Sequence, residues 1–195
     1  FGIVALCGMF TVFVGLFLGS GLNIALIQKK DVDELDLSTI FHAGLVLSVF
    51  FYIVIFFTAP FVADLFGSDV VTPVLRVMSF GMIIGSFTGV QSANISRKLE
   101  FRKFFFATLI GQFLSGVVGV VMACTGFGVW ALVAQNLISI IVNTIVLLKI
   151  DDWRPKWMFS WQRFKGMYSF AWKQIVANFT ATFSEQRSEE RRVGK

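Results

Sequence analysis

Long uncharged stretches alternate with short charged ones along the whole chain. Phe1–Gln28 carries no charge, Leu37–Ala63 carries none with His42 neutral, and Val77–Ser96 carries none. Phe104–Leu148 is an uncharged run of 45 residues. A hydrocarbon core about 30 Å thick takes roughly 20 helical residues to cross. The pattern therefore predicts spans over Ile3–Leu22, Thr39–Ala63 and Val74–Ile95. The run of 45 is too long for one crossing and divides at Cys124–Gly128, where two glycines suit a tight turn. That yields Phe104–Ala123 and Val129–Leu148. A last apolar stretch begins near Met167 and fades after Phe183, which reads as the start of a sixth span. The predicted fold class is an all-α integral membrane bundle of about five transmembrane helices plus that start. Residues 1–150 form the bundle, 151–166 a cytoplasmic interfacial linker, and 167–186 the severed next helix.

Composition agrees with the pattern. Of 195 residues, 56% are hydrophobic and 15% charged, against about 25% charged in a typical soluble domain. Backbone groups in lipid must satisfy one another, which favours helices, and the two-residue alternation of a membrane barrel is absent.

The charges then orient the spans. Connection 28–37 holds Lys29 and Lys30; 96–103 holds Arg97, Lys98, Arg102 and Lys103; 149–165 holds Lys149, Arg154, Lys156, Arg163 and Lys165. Connections 64–73 and 124–128 hold no Lys or Arg. Strict alternation of this kind places the basic connections in the cytoplasm. It also accounts for the net charge of +5 without a nucleic-acid partner. Asp33 and Glu34 suit a helix start, with Ser38 as a candidate N-cap. The chain opens inside an apolar run without Met, so its own N-terminus is expected to be missing. The tail Arg187–Lys195, RSEERRVGK, resembles translated sequencing adapter and is left out of the fold reasoning.

Small residues recur four apart as Gly15/Gly19, Gly81/Gly85/Gly89 and Gly111/Ser115/Gly119, stripes that let helices approach closely. Polar groups at depth are costlier and more informative. They are Arg76, Gln91 and Asn94 in the third span, Gln112 in the fourth, and Gln135, Asn136, Ser139 and Asn143 in the fifth. Lys173, Gln174 and Asn178 follow in the sixth. Asn136, Ser139 and Asn143 share one helical face. Two readings stand for the amides: interhelical hydrogen bonds, or the lining of a hydrated cavity. Two also stand for Arg76 and Lys173: snorkelling to the interfaces, or facing a cavity that takes an anionic phosphate or diphosphate. Cys7 and Cys124 read as small buried residues. With His42 alone and no acid cluster in the spans, neither a proton relay nor a His/Cys metal site is expected. No nucleophile elbow, phosphate-cradling loop or zinc motif is present, which disfavours an enzyme. Trp153, Trp157 and Trp161 interleave with basic residues in DDWRPKWMFSWQRFKG, a candidate interfacial element.

Four segments together carry a resemblance: ALIQKKDVDELDLSTIF, TPVLRVMSFGMIIGSFTGVQSANISRKLEFRK, GFGVWALVAQNL and WRPKWMFSW. In this order they resemble Wzx-type oligosaccharide flippases of the colanic-acid exporter branch, within the multidrug/oligosaccharidyl-lipid/polysaccharide exporter superfamily. The resemblance covers roughly residues 1–183. It implies two bundles of inverted orientation around a central cavity, of which this chain holds the incomplete N-terminal one. It implies movement of an undecaprenyl-diphosphate-linked oligosaccharide across the bacterial cytoplasmic membrane by alternating access, coupled to Na⁺ or H⁺. Implied partners are the lipid-linked oligosaccharide, membrane lipids, a polysaccharide polymerase and a chain-length regulator; no cofactor is implied. Arg76, in PVLRVMSF, is the first cavity candidate on this reading. A drug or cation antiporter of the same superfamily predicts a buried acid in the bundle. A membrane polymerase or glycosyltransferase predicts a large outer loop.

Overall fold

The computed structural model describes residues 21–29, 31–169 and 171–173. The predicted first span for the most part, Cys7, Gly15, Gly19, Gln174, Asn178 and the tail 187–195 lie outside the described residues. Within them the elements are α1 Gly21–Gln28, α2 Glu34–Phe66, α3 Val71–Arg97, α4 Phe101–Cys124 and α5 Val129–Ile150. A further helix begins at 161. The last four named helices are long and apolar enough to cross a membrane. Each predicted span in this region is thus a helix, with α2 running three to five residues further at both ends than its apolar stretch.

The extra turns come from capping. The N-cap of α2 is Asp33, and Asp36 reaches back to accept from the Asp33 N–H at 3.2 Å, the returning half of a capping box. Ser38 is not the cap: it lies buried within the helix, because the charged turn ahead of it already satisfies the first amides. At the far end Gly67 takes φ 61°, the left-handed conformation that glycine adopts without cost, and its N–H returns to Asp64. Gly126 (φ 85°) and Gly128 (φ 56°) turn the chain between α4 and α5, where the run of 45 divides. Cys124 is exposed rather than buried, because it is the last residue of α4.

The central helix is α3, which packs along α2 and α5 and also touches α1. One apolar core joins Leu26, Ile40, Phe41, Val90 and Trp153 near the basic connections. Another joins Ala59, Val74, Leu75 and Val133 near the opposite ends. Outward, Val46, Phe57, Phe61, Leu65 and Phe113 are 68–74% exposed. In water such a surface would aggregate; against acyl chains it costs nothing.

Small residues decide how closely α4 meets α5. Gly111, Ser115 and Gly119 are all buried. A Cβ on Gly111 would lie 3.3 Å from the Ser139 carbonyl oxygen, and one on Gly119 3.1 Å from Gln135 Oε1. Gly116 faces away, with nothing within 4 Å. Gly111→Leu is therefore expected to cost about 1–3 kcal/mol, while Gly116→Leu leaves stability unchanged. Thermal unfolding in detergent compares the two; equal midpoints would show that the stripe does not set the contact.

Candidate functional site

Polar side chains gather in four places. The first is the Arg76 region. Pro60 lies inside α2 and has no N–H, so the Phe56 carbonyl four residues earlier loses its helical donor. Arg76, from the facing helix α3, supplies one: its Nε donates to Phe56 O at 3.2 Å. The guanidinium carbon also sits 4.0 Å from the Phe56 ring centroid, a cation–π distance. The nearby Tyr52 and Phe80 rings pack edge to face at 6.2 Å. Arg76 is half-buried, and its Nε is committed to this bond.

The second place is a polar line down α3. Thr88 and Thr144 hydroxyls lie 2.6 Å apart across α3 and α5. One turn on, Gln91 is 1% exposed, and neither its Nε2 nor its Oε1 has a partner among the described residues. A further turn on, the Asn94 Nδ2 donates to both oxygens of Asp151 at 3.0 Å. Lys98 Nζ lies 3.6 Å from the same carboxylate. Asp151 is 1% exposed. Of the two adjacent amides, Asn94 is thus an interhelical tie, while Gln91 stands as a buried amide with no partner among the described residues.

The third place is the α4–α5 seam, where Gln135, Ser139 and Asn143 meet the glycine stripe. Asn136 is exposed on another side of α5, so the polar residues that face α4 are one position away from the expected set. Gln112 is exposed on the outer side of α4 beside Phe113 and Gly116. Lys173 is exposed on the last described turn. The eight predicted residues therefore do not converge on one spot. Gln91 and Asn94 adjoin, Gln135 and Asn143 share the seam, and Arg76, Gln112, Asn136 and Lys173 stand apart.

The fourth cluster, at the basic connections, went unread in the sequence. Asp36 is fully buried and faces Lys29 Nζ at 2.6 Å and Arg163 Nη1 at 3.0 Å. Arg163 also binds Asp33 at 2.9 Å. These bonds, to Asp33 first and Asp36 second, raise the Arg163 pKa above its usual value, so the guanidinium stays charged. Lys156 pairs with Glu34, and the Ser160 N–H donates to Thr39 Oγ1 at 3.2 Å. Arg97 donates to the Leu26 carbonyl at 2.7 Å and to that of Lys29. A cation there complements the carboxyl end of α1. Trp153 is buried with its ring against Phe41, whereas Trp157 and Trp161 are exposed. Segment 151–165 is thus strapped onto the ends of α2 and α3. Asp36 and Asp151 are acids buried just outside the predicted spans, where the sequence suggested connections. Both sit at helix ends that hydropathy assigns to loops, and both are buried because a neighbouring connection folds over them.

A family profile described as polysaccharide biosynthesis protein matches residues 1–189. Succinoglycan biosynthesis transport protein ExoT of Rhizobium meliloti is 28% identical over 182 residues, 92% of this chain and 37% of that protein. Teichuronic acid biosynthesis protein TuaB of Bacillus subtilis is 22% identical over 170 residues, 85% of this chain and 35% of TuaB. Lipopolysaccharide biosynthesis protein WzxC of Escherichia coli is 21% identical over 128 residues, 65% of this chain and 25% of WzxC. No solved structure gives a significant match. The chain thus spans little more than a third of the length of these relatives at most.

Proposed function

Since the chain belongs to the polysaccharide biosynthesis protein family, a family of Wzx-type flippases, we propose that it is part of a flippase for lipid-linked oligosaccharide. The cargo on this reading is an undecaprenyl-diphosphate-linked oligosaccharide, carried from the inner to the outer leaflet of the bacterial cytoplasmic membrane. Family membership is the observation that carries the reading. It is supported by four membrane-length helices joined by short turns, and by relatives whose names place them in three different surface-polysaccharide pathways.

The residues suit the cargo in chemical terms. Gln91, Gln135 and Asn143 offer neutral donors and acceptors to sugar hydroxyls. Arg76 offers positive charge to a diphosphate, and Lys173 offers a second cation. Gln112 and Asn136 face outward from this bundle, where a second bundle of the full-length protein would meet them. Alternating access uses a Na⁺ or H⁺ gradient, and the polymerase and chain-length regulator act downstream. The antiporter reading gains two buried acids, Asp36 and Asp151. Each is matched by basic or amide partners at a helix end, an arrangement that holds elements together rather than exchanging an ion.

Complementation tests the proposal. The full-length gene, placed in a strain that lacks its own oligosaccharide flippase, is expected to restore surface polymer and clear accumulated lipid-linked repeat units. Membrane-inserted protein that leaves the repeat units inside would defeat the reading.

A further inference from the structure

A cleft of about 430 Å³ opens between the carboxyl end of α1 and the helix that begins at 161. Among the described residues its walls include Ala25, Gln28, Lys29, Arg163, Gly166 and Met167. That volume is within the range of small-ligand sites. Two basic side chains stand among apolar ones, so the cleft is amphipathic in the way a lipid is. We propose that it binds the phosphate headgroup of an anionic membrane phospholipid, with Lys29 and Arg163 as its ligands and Met167 and Ala25 against the acyl chain.

The geometry argues for this in three steps. First, both cations are held in place. Asp36 fixes Lys29 at 2.6 Å and shares Arg163 with Asp33. Second, donors remain. Arg163 uses only Nη1 in these pairs, leaving its Nε–H and Nη2 groups, and the Lys29 ammonium has three hydrogens with one directed at Asp36. Both side chains keep 36% exposure, although the carboxylate they share has none. Third, the cleft sits at headgroup level. It lies among the basic connections, and exposed Trp161, Tyr168 and Trp172 mark the adjoining helix as interfacial. Basic pockets between helices on the cytoplasmic side take anionic headgroups. Asp33 and Asp36 offset Lys29 and Arg163, and Arg97, bonded to the Lys29 carbonyl, leaves the cluster one positive charge in excess. Bulk phospholipid is in large excess over any carrier lipid at this depth.

Gly166 provides a clean test. Nothing lies within 4 Å of a Cβ placed there, so Gly166→Phe adds bulk to the cleft wall while leaving Lys29, Arg163 and their carboxylates in the sequence. The full-length protein is reconstituted in nanodiscs of equal phosphatidylglycerol and phosphatidylcholine, and retained lipid is read by native mass spectrometry. Wild type is expected to retain phosphatidylglycerol about fivefold over phosphatidylcholine, the factor typical of one interfacial basic side chain. Gly166→Phe and the double variant Lys29→Gln/Arg163→Gln are expected to lose that preference, the former with an unchanged unfolding midpoint. Wild type without a preference, or a preference that survives Gly166→Phe, overturns the proposal. So does displacement of phosphatidylglycerol by an equal amount of polyprenyl phosphate, which would make the occupant the carrier lipid.

Discussion

Arg76→Ala in the full-length protein is expected to abolish polysaccharide export at normal protein levels. Two roles predict that loss, and Pro60 separates them. In the first, Arg76 is a donor to the Phe56 carbonyl that Pro60 leaves without one. Removing the side chain then orphans a carbonyl in an apolar setting, at about 1–3 kcal/mol. Pro60→Ala restores a backbone N–H in reach of that carbonyl, so Arg76→Ala should cost less in the Pro60→Ala background. A coupling of about 1 kcal/mol is expected from the double-mutant cycle in thermal unfolding. In the second role the guanidinium also meets the anionic cargo, which no backbone amide replaces. Export is therefore expected to stay lost in Pro60→Ala/Arg76→Ala. Export regained together with stability would leave Arg76 as a helix prop and remove it from the cavity.

The second large effect is at the strap formed by 151–165. Lys29→Ala takes the shortest partner from a carboxylate with no exposed surface. Breaking a buried pair by removing one partner costs about 3–5 kcal/mol, and the lower end applies here because Arg163 still faces Asp36. Asp36→Asn should cost less, since the cations it leaves behind are 36% exposed and can rehydrate. Removing Lys156 should do least. Its pair with Glu34 is 53% and 60% exposed, and such surface pairs contribute at most about 1 kcal/mol. Unfolding midpoints in detergent give the order. If Asp36→Asn is the worst of the three, then the carboxylate charge shared by Lys29 and Arg163, rather than the Lys29 pair alone, holds the strap.

What the sequence determined by itself was the set of membrane-length helices and the turns between them. Span length follows from bilayer thickness and turns from glycine, and both are properties of contiguous residues. The break at Cys124–Gly128 is one example, and the small-residue stripe Gly111/Ser115/Gly119 is another. Tertiary structure alone decided which polar groups meet. Arg163 and Asp33 are 130 positions apart, and Asn94 and Asp151 are 57 apart. Asp36 and Asp151 read as loop acids because hydropathy scores a neighbourhood along the chain, while burial depends on what folds over it. Arg76 looked like a free cation for the same reason: the acceptor it serves is made by a proline on another helix. On α5 a single step of 100° separates Gln135, turned to the glycine stripe, from Asn136, turned away. Periodicity shows that such residues occupy different faces, and only packing says which face has a neighbour.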